Sequence, residues 1–188
     1  MTGTAMSIRR AHRQRRVAIG VITCAVWIVI ALLVTGWGDG LRLNVTPSEP
    51  LGLWRIVPLD QQVRAGDLVF ICPPATEPMR LARERGYLRG GSCPSGYAPL
   101  IKTVVGIEGQ RADVGHEVRI NGKPIPQSDL VGRDGKGRSL SGARAGVIPA
   151  GTVFLHSGFA GSFDSRYFGP MPTSGILGLA QEVWTFEP

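Results

Sequence analysis

Two residues in this chain have the types and settings for joint covalent chemistry. One is a serine between prolines, the other a lysine inside an apolar stretch. Ser48 lies in "NVTPSEPLGLW", Asn44 to Trp54, flanked by Pro47 and Pro50. Proline fixes its own φ and pushes the preceding residue toward extended geometry, so Thr46 and Glu49 are stiffened around the hydroxyl. Lys102 sits in "PLIKTVVGI", Pro99 to Ile107. On a strand, Leu100, Lys102 and Val104 share one face and Ile101, Thr103 and Val105 the other. Both faces are largely apolar, so the ammonium group is expected to be desolvated and its pKa lowered. A neutral amine near pH 7 can take the proton that keeps a serine hydroxyl from being a good nucleophile. Histidine is the commoner base, but His12 lies in a basic tail and His116 in an expected turn. His156 stays open as an alternative. The remaining lysines, Lys123 and Lys136, read as solvated surface charges.

The elements that must position these groups follow from patterning. Val17 to Val34, "VAIGVITCAVWIVIALLV", carries no charge and is about long enough to span a bilayer as a helix. Residues 1–16 form a basic tail, and the span is placed at 17–36, with Trp37 at the interface. Arginines before the span are expected to stay cytoplasmic, which sends residues 41–188 across the membrane. A cleaved signal peptide is the other possibility. The apolar run is long for that, and "TGWGDG" offers no small-x-small cleavage site. The formal net charge of +7 comes mainly from Arg9, Arg10, Arg13, Arg15 and Arg16, and no acid precedes Asp39. From Thr35 onward the balance is +2. No basic stripe interleaved with aromatics is present, so a nucleic-acid partner is not expected.

Beyond Leu41 the chain reads as mainly β, in keeping with 26 glycines and 14 prolines. "GDLVFI", "PLIKTVVGI", "GVIPAGTVFLHS" and "GLAQEVWTFEP" are expected strands. Asn121-Gly122 between alternating runs predicts a hairpin. Thr76 to Leu88 is the one expected helix outside the span, with Thr76 as N-cap, inside a helical insertion at about 74–96. Arg133 to Ala145 reads as a polar, glycine-rich loop. Cys72 and Cys93 bracket the insertion. In an oxidising compartment they are expected to pair, adding roughly 3 kcal/mol, and the alternative is two buried thiols. Cys24 is an apolar filler of the span. No cofactor or metal is expected.

Taken in order, the anchor, "TPSEPLGLW", "GDLVF", "LIKTVVGIEGQ", "RINGKPI", "IPAGTVFLHS" and "SFDSRYFGP" (Ser162 to Pro170) resemble the type I signal peptidase superfamily. More narrowly they resemble its conjugative-transfer, TraF-type branch. The resemblance implies a signal-peptidase-like, β-rich catalytic domain in the periplasm, held by one helix in the inner membrane. It implies Ser48 as nucleophile, Lys102 as general base, and Ser162 hydrogen-bonded to the lysine amine. Asp164 and Arg166 would form a supporting ion pair. The Ser48 backbone N–H and the Thr46 hydroxyl would stabilise the oxyanion. The implied substrate is a conjugative pilin precursor, cleaved through an acyl-enzyme that water or the precursor's own N-terminal amine then releases. An extended substrate is expected to add as a strand beside the site. Leu51, Leu53 and Trp54 could enter the bilayer interface or pack in the core. The segment before "SFDSR" lacks the charges of housekeeping signal peptidases, and proline replaces glycine before Ser48. Two other readings remain. One is a non-catalytic, membrane-anchored scaffold of a conjugative secretion apparatus. The other is a self-cleaving regulator, which would need a DNA-binding domain where this chain has its apolar segment.

Overall fold

The computed structural model describes residues 3–187, with side chains described for 14–31 and 34–187. Arg9, Arg10, His12 and Arg13 of the expected tail therefore fall outside the described side chains. The chain divides into two compact units, Met1–Leu41 and Arg42–Pro188. The first is dominated by α1, Gly3–Gly38. Within it Gln14–Gly38 is long and apolar enough to cross a membrane, and none of its described side chains is buried. Val21, Ile22 and Trp27 of α1 are exposed, as suits a membrane anchor or a signal sequence alike.

The second unit is mainly β. Its strands are β1 (Leu41–Asn44), β2 (Leu51–Val57), β3 (Leu68–Ile71), β4 (Leu100–Ile107), β5 (Arg111–Val114) and β6 (Val118–Ile120). They continue with β7 (Lys123–Pro124), β8 (Gly146–Val147), β9 (Thr152–His156), β10 (Met171–Pro172) and β11 (Ile176–Phe186). The order β1-β2-β11-β3-β4-β9-β10 makes a seven-stranded sheet, and β7-β6-β5-β8 a four-stranded one. Two short helices complete it, α2 (Glu77–Glu84) and α3 (Ser165–Phe168). The expected hairpin is the β6–β7 turn, with Asn121 and Gly122 both at positive φ, the geometry that Asn-Gly tolerates.

The expected helix is shorter than its pattern. It ends at Glu84, and Gly86 at φ +82° turns the chain out of it. Thr76 occupies the N-cap position, but its side chain makes no cap hydrogen bond. Pro78 in the first turn, whose ring has no N–H, leaves fewer donors there to cap. Cys72 and Cys93 are joined in a disulfide that closes the insertion.

Alternation on β3 and β4 separates two apolar groups. Val69, Ile71 and Val104 join Met79, Leu88, Leu155 and Met171 in the main core. Phe70 and Ile101 pack with Trp54 on the other face. Trp54 is wholly buried, so it is a core residue and not an interfacial one. Its indole N–H donates to the Pro50 carbonyl at 2.9 Å. Gly52 is required beside it: φ is +126°, and a Cβ there would lie 2.3 Å from the Trp184 carbonyl.

Candidate active site

Ser48 sits in the turn between β1 and β2, and Asn44 is what holds that turn. The Asn44 side-chain amide donates to the carbonyls of Thr46 (3.0 Å), Glu49 (2.9 Å) and Pro50 (3.0 Å). Its Oδ1 accepts from the Thr46 backbone N–H (3.1 Å) and hydroxyl (2.7 Å). One side chain thus does locally what a strand ladder would do, an Asx-type closure of a proline-stiffened loop. From the other side, the Ser157 hydroxyl donates to the Ser48 carbonyl.

Lys102 lies on β4 opposite Val69 of β3, and Val69 and the following Val104 have no exposed surface. The lysine itself is 2% exposed. Burial lowers its pKa from 10.5 to about 8; Asp164 and Glu49 pull it up, and Arg166 pushes it down. The amine is therefore poised to exchange a proton near neutral pH, as a general base must be. Ser48, Thr46, Lys102 and Ser162 line one cavity of about 340 Å³.

Behind that cavity lies a charged cluster that does not reach it. Asp164 and Arg166 have no exposed surface, and Arg166 Nε donates to Asp164 Oδ1 at 2.8 Å. Arg166 also donates to the carbonyls of Asp129 (3.0 Å) and Ser162 (3.1 Å). His156 lies at the end of β9 with Nδ1 3.4 Å from Asp164 Oδ2 and Nε2 3.2 Å from the Pro126 carbonyl. Burial works against the Asp164 charge, but His156 and Arg166 outweigh it and hold the carboxyl below its usual range. The pair acts on Lys102 through its field and fixes the backbone from Ser157 to Arg166. His156 does not line the cavity, and its ring nitrogens face Asp164 and the Pro126 carbonyl instead.

Two expected contacts differ. The Thr46 hydroxyl donates to Asn44 Oδ1, so in the absence of substrate this side chain braces the turn. Ser162 was expected to bond the lysine amine. It is buried at the cavity wall, but among the described residues its Oγ has no hydrogen-bond partner. Sequence reasoning missed Asn44, Glu49 and Ser157. The first had a signal, an Asx residue opening a Thr-Pro turn. The others depend on segments that meet only in the fold. Burial pushes the Glu49 carboxyl up; Lys102 pulls it down, Glu182 adds to the rise, and His156 and Ser157 oppose it. Among the described residues no cluster of three or more His, Cys, Asp or Glu side chains is arranged to hold a metal ion.

Residues 13–185 match the family "Signal peptidase, peptidase S26". A probable conjugal transfer protein TraF of Sinorhizobium fredii is 53% identical over 179 residues, 95% of each chain. A conjugal transfer protein TraF of Agrobacterium tumefaciens is 52% identical, covering 94% of this chain and 99% of its own. A plasmid transfer protein TraF of Escherichia coli is 37% identical over 83% of this chain and 90% of its own. Among solved structures, a signal peptidase I of Enterococcus faecalis aligns with a TM-score of 0.38 at 16% identity, over 63% of this chain and 97% of its own.

Proposed function

The chain belongs to the signal peptidase (peptidase S26) family, and on that premise we propose that it is a membrane-anchored serine endopeptidase using a Ser48/Lys102 dyad. The observation that carries this reading is the lysine: buried, lowered to about 8, and on the wall of the cavity that Ser48 also lines. Neutral Lys102 takes the Ser48 proton as the oxygen attacks a peptide carbonyl. The ammonium then returns that proton to the departing amine, leaving an acyl-enzyme. The Ser48 backbone N–H stabilises the oxyanion. A second nucleophile, water or the N-terminal amine of the same substrate, gives up a proton to Lys102 and releases the acyl group as a linear or a cyclic product.

The substrate proposed is a conjugative pilin precursor, in line with relatives named for conjugal transfer. The domain is assigned to the periplasm and α1 to the inner membrane. The arginine-rich start of the chain and the disulfide support that orientation. The test is the intact mass of the co-encoded pilin precursor after co-expression with wild type, Ser48→Ala and Lys102→Ala. The expected result is a shortened product with wild type alone, and one water less than the linear fragment identifies cyclisation. Processing that survives both substitutions removes the dyad and favours a scaffold.

A further inference from the structure

The two segments read from sequence as separate surface features, the insertion at 74–96 and the glycine-rich loop, meet in space. The Tyr87 hydroxyl bonds to Asp134. Arg138 donates to Asp134 Oδ2 at 2.6 Å and to the Arg85 carbonyl at 3.1 Å, and its guanidinium lies 5.5 Å over the Tyr87 ring. Arg85 in turn donates to the Ser139 carbonyl at 2.8 Å. The Tyr87 hydroxyl holds the Asp134 carboxyl well below the usual carboxylate range, so this stitch stays charged at any working pH.

Tyr87 and Asp134 of this stitch border a second, open cavity of about 390 Å³, beside the one that Ser48 lines. Its apolar wall is Tyr87, Val131, Leu140, Ala160, Phe163 and Tyr167. Phe163 stacks on Tyr167 at 5.8 Å and meets Tyr87 at 5.0 Å, so the floor is rigid aromatic surface. The two cavities share Tyr87, Gly161, Ser162 and Phe163. At this junction sits the buried Ser162 hydroxyl, unpartnered among the described residues. Arg133 and Asp134 complete the lining, so the hollow is mainly apolar with a few polar groups at fixed places, which is how ligand pockets are built.

We propose that this chamber is a second substrate subsite, taking one large apolar or aromatic side chain of the peptide whose scissile bond lies at Ser48. An extended peptide directs alternate side chains to the same side, so one chain can fill both cavities while its backbone crosses Ser162. Tyr87 and the Arg133 to Ala145 loop then set selectivity without touching the reacting atoms. This inference rests on the peptidase reading above.

The experiment uses full-length Ser48→Ala protein in lipid vesicles with the co-encoded pilin precursor as probe. A photo-crosslinking p-benzoylphenylalanine replaces either Leu43, at the catalytic cavity, or Val131, in the chamber. Crosslinks to the precursor from both positions, mapping to different precursor residues, are expected. Crosslinks from Leu43 alone overturn the subsite and leave the peptidase reading standing. None from either position overturns both. As a second readout, Val131→Trp in otherwise wild-type protein fills the chamber from its exposed side. It should raise KM for the precursor about tenfold, the worth of one buried apolar side chain, with kcat little changed. An unchanged KM in a variant that melts like wild type overturns the proposal.

Discussion

The Asn44 side chain spans the turn that carries Ser48, bonding Thr46 at one end and Pro50 at the other. Asn44→Ala removes this brace and leaves the Thr46 and Glu49 carbonyls to find water, while Pro50 keeps only its bond from Trp54. We expect a loss of about 1–3 kcal/mol in stability and a fall in kcat larger than any change in KM, because the serine loses its pose and not its pocket. Calorimetry and steady-state kinetics on the purified protein check both. An unaltered kcat would show that the prolines hold the turn unaided.

The pH dependence follows from Lys102. The reaction needs the neutral amine, so kcat/KM should rise about tenfold per pH unit up to about 8 and then level off. Glu49 raises the lysine pKa, so Glu49→Gln should move the acid limb to lower pH. Stability carries its own signature. With the folded pKa below the unfolded one, the unfolded chain binds more protons between about 8 and 10.5. Stability should therefore climb across that window, and Lys102→Met should be more stable than wild type at pH 7 by on the order of 2 kcal/mol. Melting curves from pH 6 to 11 test the sign.

The Asp164–Arg166 pair has no exposed surface. Asp164→Asn leaves a buried guanidinium without its counter-charge, at an expected cost of about 3–5 kcal/mol. It also removes the main attraction on the Lys102 ammonium, so any folded variant should show its activity limb at lower pH than wild type. Urea titration gives the first number and the pH–rate profile the second.

Reduction of the Cys72–Cys93 bond opens the loop that contains α2 and Tyr87. The expected loss is roughly 3 kcal/mol in the chain-entropy account. Protease nicking between residues 74 and 96 should accelerate in dithiothreitol, while the β6–β7 hairpin stays protected.

The burial of Lys102 was legible in the apolar alternation around it, whereas its sharing of a cavity with Ser48 was expected from the resemblance and not from either local pattern alone. The disulfide was legible because its cysteines bracket one excursion, and the hairpin because Asn-Gly tolerates positive φ. The fates of the Thr46 and Ser162 hydroxyls were not legible. Which partner takes one proton depends on ångström-level positions that spacing does not encode. β1, β2, β5 and β10 were missed as strands, being short or broken by glycine and proline, and β2 finds its main partner, β11, more than a hundred residues away. The glycine-rich loop looked solvated because Asp134 and Arg138 are polar; their partners, Tyr87 and the Arg85 carbonyl, lie some fifty residues away.

Of the four tryptophans, Trp54 alone is wholly buried, while Trp27, Trp37 and Trp184 are each more than half exposed. Its indole N–H is bonded to Pro50, at the end of the same turn that carries Ser48. The turn thus comes with its own optical label. In a background where the other three are phenylalanine, the emission of this indole reports strain reaching Pro50, with no dye and no engineered probe near the serine.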